Sequence, residues 1–332
     1  SVSCGFTLDS HSASQNGLVV FRAHSSGLAE PVKYSWTIFN NTDQSEVNYE
    51  TEGDLEFIPT RFGIYTVTLC ASAANQSVSW SSENTLIVLS QICYVDPDSE
   101  NPVFPYLTWQ TAARTVKDAI EACSDGGEII LAKKVVPTDA TVEITRPITL
   151  RGAGFREESI LAGNGNGSVI KLSHKDAVVR QLTITGGKAQ NGAGLYVTAS
   201  GGLAQDCILS NNTANAGSYA KGGGAYLLGG RLSCSLVAEN YATGGGSTPG
   251  VVLEGSAKMD RSFVVNHNHK QKNGWGAVQL KGAVTLENCV VAHNTVLAGV
   301  AGVCCKNSAK IVNCTIANNR PDNSTDAEVG IQ

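Results

Sequence analysis

The sequence predicts an all-β protein, in which an N-terminal β-sandwich is followed by a right-handed parallel β-helix with an N-terminal capping helix. Only 16% of the 332 residues are charged and 35 are glycine, a composition that suits a turn-rich β-protein. Short strand-like runs recur through residues 1–90, as they do in sandwiches. From residue 168 onward, similar segments recur every 25 to 28 residues, a period typical of a solenoid.

Residues 1–90 form the first predicted domain. Turn residues separate the runs GLVVFRA, VKYSWTI, GDLEFIP and GIYTVTLCAS, and this spacing favours a small sandwich. Trp36 on an early strand, together with Tyr65 in FGIYTVTL, resembles the PKD and related Ig-like domains. The resemblance implies that Trp36 fills the core and that Tyr65 lies near a strand corner. If the protein is secreted, a disulfide between Cys4 and Cys70 is an open alternative to two free thiols.

Residues 91–332 form the second predicted domain. Its first stretch, 91–107, holds three prolines and reads as a linker or lead-in. The next stretch predicts a capping helix over about 108–123 that Thr108 caps, with regular coils from about 141. The predicted apolar face of this helix consists of Ala112, Val116, Ala119, Ile120 and Cys123.

Two sequence resemblances cover this second domain. The motif YVDP…W…A…VKDAIEAC.DGGEIIL, followed by PITLRGAG, resembles the start of the pectin-lyase-like parallel β-helix family. This resemblance spans about residues 93–332, and it implies that a short helix covers the first open end of the coil. The elements GGGAY and GWGAV, with FVVN at 263–266, are similar to the repeats of polymorphic outer-membrane adhesins.

Each repeat contains one small residue and closes on an asparagine. The glycine and valine content and the two-residue alternation exclude helical repeats, whereas parallel strands stacked about 4.8 Å apart fit. We expect the small residues to fill the interior and the Asn amides to bond one another along the stack. The predicted small positions are Cys207, Ser235, Ser262, Cys289 and Cys314, and the predicted Asn positions are Asn212, Asn240, Asn268, Asn294 and Asn319.

A candidate ligand-binding group follows from this alignment. It places Glu239, His267 and His293 at one position in three successive coils, with His269, Lys270 and Trp275 nearby. Such a stack has three alternative interpretations besides that of a solvated edge without a role. It is a metal site, a general base, or a sugar contact that uses the Trp ring as a platform.

Four thiols in the last coils also align. Cys289 and Cys314 stack at neighbouring levels, and a row of core thiols there competes with a disulfide as the interpretation. Cys305 aligns with Leu280 and is expected to point inward. Cys304 is expected to point outward and to be the most reactive thiol.

The catalytic series of the pectin-lyase-like enzymes is missing. The chain lacks NxD…DD…GHG…RxK, the paired-Asp calcium pattern and WxDH, and retains only the scattered residues Asp206, Arg231, Asp260 and Arg261. We therefore expect a non-catalytic role in adhesion, surface structure or glycan binding. The alternatives are a polysaccharide lyase or glycoside hydrolase acting on acidic polysaccharide, and a building block of an extracellular fibre or surface layer. No cofactor is predicted, but the resemblance to the pectin-lyase-like enzymes leaves calcium open as a bound ion.

Net charge and hydropathy limit the classes of partner that we expect. The net charge of -5 gives no support for nucleic-acid binding, and no apolar run is long enough for a membrane span. We expect an extracellular or cell-surface protein that contacts glycans or surface proteins. The last residues, AEVGIQ, fall within a further coil, so we also expect a continuing chain, or self-association through an uncapped C-terminal coil.

Overall fold

The computed structural model describes residues 1–269, 274–321 and 327–328, without the side chains of 84, 321, 327 and 328. The first eight strands build an N-terminal domain of two sheets. One sheet has the order β1-β3-β6 and the other β5-β4-β7-β8, with β2 alongside β8. These strands are β1 (Ser3–Thr7), β2 (Ser12–Ser14), β3 (Val19–Ser26), β4 (Lys33–Asn40), β5 (Ser45–Thr51), β6 (Leu55–Phe57), β7 (Gly63–Ala73) and β8 (Gln76–Val95).

Side chains from both N-terminal sheets share one apolar core, as expected for a sandwich-like arrangement. Trp36 is almost fully buried there, and its ring lies 5.6 Å from the ring of Phe6 and 5.9 Å from that of Phe21. The Tyr65 hydroxyl donates a hydrogen bond to the Arg61 carbonyl. The tryptophan therefore fills the space between the two sheets, and the tyrosine hydroxyl is satisfied by its own chain.

The remaining strands build a parallel β-solenoid, whose seven or so turns span about residues 135–317, together with one strand before that span and two after it. They are β9 (Cys123–Leu131), β10 (Val135–Thr138), β11 (Val142–Ile144), β12 (Thr149–Gly152), β13 (Ile160–Gly163), β14 (Ile170–Leu172), β15 (Val178–Arg180), β16 (Thr183–Thr185), β17 (Lys188–Ala189), β18 (Leu195–Val197), β19 (Leu203–Gln205), β20 (Ile208–Ser210), β21 (Thr213–Ser218), β22 (Ala225–Leu227), β23 (Arg231–Ser233), β24 (Leu236–Ala238), β25 (Tyr241–Gly245), β26 (Val251–Glu254), β27 (Lys258–Asp260), β28 (Phe263–Val265), β29 (Asn268–His269), β30 (Gly274–Trp275), β31 (Val278–Lys281), β32 (Thr285–Glu287), β33 (Val290–Ala292), β34 (Thr295–Val296), β35 (Gly299–Val300), β36 (Val303–Lys306), β37 (Lys310–Val312), β38 (Thr315–Ala317), β39 (Arg320–Pro321) and β40 (Ala327–Glu328).

Three long parallel sheets run the length of the solenoid. Sheet 1 is β9-β12-β15-β19-β23-β27-β32-β37, sheet 2 is β10-β13-β16-β20-β24-β28-β33-β38, and sheet 3 is β11-β14-β18-β22-β26-β31-β36. Alternate side chains point inward and stack on the same position of the next coil. On sheet 1 the fully buried stack is Leu150, Val179, Ala204, Leu232, Met259 and Leu286.

The short strands of sheet 2 lie between two stacks of left-handed residues. The residues before these strands and those after them have φ near +50° to +60°, and both positions recur coil after coil. The preceding stack contains Gln181, Asp206, Cys234, Arg261, Asn288 and Asn313, and the following one Asn211, Glu239, Asn266, His293 and Asn318. Asparagine tolerates this conformation best among residues with a side chain, which explains its frequency here.

The capping helix is shorter than predicted. Residues 108–123 contain a 3-10 turn at Trp109–Thr111 and one α-helix, α1 (Val116–Ala122). Thr108 caps the 3-10 turn, whereas the Thr115 side chain accepts the Asp118 backbone N–H and caps α1. Between them, the Ala113 N–H donates to the Tyr94 carbonyl and joins the sheet, which interrupts the predicted helix.

Helix α1 still packs against the first coil. Its buried side chains Val116, Ala119 and Ala122 belong to the same apolar cluster as Ile129 and Val142 of the solenoid interior. This contact covers apolar side chains that the first turn would otherwise expose. None of the helices in the described part of the chain is long and apolar enough to cross a membrane.

Strand β8 crosses the predicted domain boundary without a break. It pairs with β7 of the sandwich over residues 76–88 and with β9 of the solenoid over 92–95. One strand therefore carries hydrogen bonds of both domains, and the stretch 91–95 is part of a sheet.

Candidate ligand-binding face

A buried ladder of hydrogen-bonded side chains closes the coils beside sheet 2, and one member is a histidine. Asn212 Nδ2 donates to Asn240 Oδ1 at 3.1 Å, and Asn294 Nδ2 donates to Asn319 Oδ1 at 2.9 Å. Between these pairs lies His267, with Nε2 at 3.4 Å from Asn240 Nδ2 and Nδ1 at 3.0 Å from Asn294 Oδ1. A neutral ring that carries its proton on Nδ1 satisfies both neighbours.

The predicted place of Asn268 in this ladder is wrong. Asn268 is exposed and pairs in register with Thr295, one position beyond the ladder. The correct residue lies five positions after the small residue in every coil, as His267 does after Ser262. The predicted alignment used a spacing of six in this coil alone because it followed residue type rather than spacing.

The predicted small residues, which lie five positions before the ladder residues, are mostly buried. Cys207, Ser235, Ser262 and Cys289 are buried, and Cys314 in the last described coil is half-buried. The Ser235 Oγ accepts the Cys207 N–H, and the Ser262 Oγ accepts the Ser235 N–H. Each hydroxyl thus satisfies a backbone donor of the preceding coil.

The predicted stack of Glu239, His267 and His293 does not form, because His267 belongs to the buried ladder. Glu239 and His293 instead align with Asn266 at an exposed corner, where all three have φ between +54° and +59°. Burial lowers the pKa of His267 to about 4, and His269 is also buried with a pKa of about 4 for the same reason. Lys270 lies outside the described residues.

These placements do not assemble a cation site. Across the described ranges, no group of three or more His, Cys, Asp or Glu side chains is arranged to hold a metal ion. Cys289 and Cys314 are free thiols, and so are Cys4 and Cys70. Cys305 packs against the core beside Leu280, but Cys304 is buried too, so its predicted exposure is wrong.

Trp275, the remaining predicted residue, lies in a cluster on the outer side of sheet 3. The Lys306 Nζ lies 4.0 Å and the Lys281 Nζ 5.4 Å from the centre of its ring. The exposed ring of Tyr219 lies 5.3 Å away from it, tilted by 47°. We call these four residues the Trp275 face.

A second group of aromatic and charged side chains continues the Trp275 face toward earlier coils. The rings of Tyr196 and Tyr226 stack 5.6 Å apart and almost parallel. Glu254 accepts hydrogen bonds from the Tyr226 hydroxyl at 2.7 Å and from Lys221 at 3.1 Å. Glu254 is also in register with Lys281 on the next strand.

Positive charge accumulates on this surface. The pKa of Lys281 is lowered, first by burial and then by repulsion from Lys221 and Lys306. Hydrogen bonds from Tyr226 and Lys221 keep the pKa of Glu254 below its usual value, although burial opposes them. Lys221 and Lys281 thus act on one carboxylate while Lys306 adds a third positive charge beside Lys281, and an arriving anion would relieve the repulsion between the ammonium groups.

Three of the four charged residues that the sequence left scattered meet on the outer side of sheet 1, whereas Asp206 pairs with Arg156 at 3.4 Å. Asp260 accepts two hydrogen bonds from Arg231, at 2.6 and 2.8 Å, and others from Arg261 and Ser233. Despite burial, these donors hold its pKa below the usual range, and the pKa of Arg231 is raised by the same pairing. Neither group is suited to exchange protons near neutral pH.

The Trp275 face was not predicted as a cluster, although the repeat contains the signal. Lys281 and Lys306 occupy one position of successive coils, as do Tyr196 and Tyr226. Aligning the second strand of each repeat, instead of its closing Asn, would have shown both pairs.

No protein-family model matches the chain, and neither a curated protein nor a solved structure matches it.

Proposed function

We propose that this is an extracellular or cell-surface protein that binds an anionic glycan, without cleaving it, on the Trp275 face. One observation carries the proposal. Two ammonium groups, Lys281 and Lys306, approach one partly exposed indole ring, and among the described side chains neither forms an ion pair. A ligand that offers both an apolar ring face and a negative group would complement this arrangement.

The aromatic rings and the cations of the Trp275 face would contact different parts of the ligand. The aromatic rings of Trp275 and Tyr219 provide apolar area for the C–H face of a sugar, at low entropic cost because the rings are held by contacts. Lys281 and Lys306 supply charge-assisted hydrogen bonds to a carboxylate or sulfate. In a chain of net charge -5, this local excess of cations favours anionic over neutral ligands.

The sequence resemblances support the surface location. PKD and Ig-like domains, pectin-lyase-like coils and adhesin repeats are features of secreted or surface proteins, and together they favour adhesion or glycan binding. Cleavage has weaker support, because the carboxylate at the centre of the sheet 1 charge cluster, Asp260, is committed to two arginines.

The proposal is tested by binding and cleavage assays run side by side. We expect an array of polysaccharides to show retention of uronate-containing or sulfated glycans, and Trp275→Ala to abolish that retention. A uronate-release assay on the same glycans, read for unsaturated product, should remain at background. Release of product by the wild-type protein, or retention unchanged in Trp275→Ala, would overturn the proposal.

A further inference from the structure

A cavity of about 510 Å³ opens where the sandwich strand β8 enters the solenoid. Its floor is the outer side of sheet 1, where Tyr94, Ile130 and Arg151 occupy one position of successive strands. Its size falls in the range of small-molecule sites, which often lie at junctions between domains. A second cavity of about 320 Å³, lined by Phe62, Ile92 and Leu107, adjoins it across Tyr94.

Two aromatic rings form one wall. Trp109 lies 4.6 Å from Tyr94 between ring centres, and the two planes meet at 61°. Trp109 nevertheless remains 39% exposed, so much of the ring is open to the cavity and to solvent. The capping box between Thr108 and Thr111 fixes the 3-10 turn that carries this ring. An indole ring is thus held in place for stacking without being covered by the protein.

The charged groups of the cavity are balanced, in contrast to the Trp275 face. Lys134 pairs with Asp96 at 2.9 Å and with Asp98 at 3.0 Å. The other two cations of the lining are also paired, Lys133 with Glu158 at 3.2 Å and Arg151 with Glu128 at 3.0 Å. The lining therefore presents fixed donors and acceptors side by side but no unneutralised charge.

We propose that this cavity binds a neutral oligosaccharide, at a site separate from the Trp275 face. A sugar stacks its C–H face on Trp109, while its hydroxyl groups donate to Asp96 and accept from Lys133 or Lys134. An apolar peptide would leave the paired charges without hydrogen bonds to the ligand. An anionic ligand would have to compete with the carboxylates already bound to the lysines.

The test uses the full chain with four probes: cellohexaose, laminarihexaose, mannohexaose and xylohexaose. We expect calorimetry to show a Kd of about 0.1–1 mM for at least one of them. Trp109→Ala should weaken that binding at least about tenfold, because it removes the aromatic ring on which the sugar stacks. Phe263→Ala, which removes an exposed ring of sheet 2 that does not line the cavity, is the control and should leave it unchanged.

Three affinity results would overturn the inference. They are the absence of any probe with a Kd at or below about 1 mM, equal binding by Trp109→Ala and wild type, and loss of neutral-probe binding in Trp275→Ala. Trp109→Phe keeps an aromatic ring and shows whether a loss of binding in Trp109→Ala comes from the missing ring or from misfolding. It should retain binding but lose the ligand-induced change in tryptophan emission. An emission change that persists in Trp109→Phe would place the ligand elsewhere.

Discussion

At the scale of single residues, His267 shows how a solenoid accepts an exception in a repeated stack. The ring joins Asn240 to Asn294 through its two nitrogens, and both neighbours are buried amides. Only the neutral ring fits this role, because a second ring proton would face the Asn240 amide donor. The histidine thus keeps the ladder continuous at neutral pH and makes it sensitive to acid.

The first prediction concerns that acid sensitivity. The folded pKa of His267 is about 4, below the ordinary value near 6.5, so the unfolded chain binds the proton more readily. The contribution of the neutral His267 ring to the free energy of unfolding is therefore fully present above pH 6.5. It falls as the pH drops toward 4, by up to about 1.4 kcal/mol per pH unit. His267→Asn should flatten part of this decline in melting curves recorded from pH 7 to 4.5. Identical profiles for wild type and variant would contradict the role given to His267.

The second prediction concerns the left-handed corner of the same coils. Glu239 and His293 have φ of +54° and +57°, a conformation that costs most residues about 1 kcal/mol and asparagine less. Glu239→Asn and His293→Asn should each raise the melting temperature by about 1–3 °C. The reverse change, Asn266→Glu, is the control and should lower it. Loss of stability in both asparagine variants would show that their side chains have unseen roles.

At the scale of elements, the local sequence pattern predicts the strands of the solenoid, whereas tertiary contacts decide the length of the helix and the make-up of the Trp275 face. The strands of the solenoid follow from a period that is visible in the sequence, and the ladder positions follow to within one residue. The capping helix follows too, but not its full length, because the Ala113 N–H donates a hydrogen bond to the Tyr94 carbonyl, which no local pattern reveals. The Trp275 face was missed because its residues lie on separate coils that only the correct register brings together.

The third prediction concerns β8, the strand that both domains share. Its 20 residues pair with the sandwich at one end and with the solenoid at the other. Hydrogen exchange should therefore be as slow in a peptide covering 86–95 as in the core strand β12. The exposed loop residues Ala29 and Glu30 provide an internal fast-exchanging reference. Rapid exchange of residues 91–95 would indicate a flexible linker instead of a shared strand.

At the scale of the whole molecule, a parallel solenoid turns a repeated sequence into columns of like side chains. Inward columns build the core and the polar ladder, and these the sequence largely predicts. Outward columns create surfaces of distinct character, with arginine–carboxylate pairs on sheet 1 and aromatic rings with lysines on sheet 3. The second surface is the one on which we expect an anionic glycan to bind.

The fourth prediction tests that expectation most directly by comparing two double variants. Lys281→Gln/Lys306→Gln removes the cations beside Trp275, whereas Lys258→Gln/Lys310→Gln removes two exposed lysines of sheet 1 and keeps the net charge equal. For an acidic polysaccharide retained by the wild type, the first variant should bind about tenfold more weakly, as loss of two ion pairs implies. The second should bind as the wild type does. Equal affinities of the two double variants would contradict an anionic-glycan site on the Trp275 face.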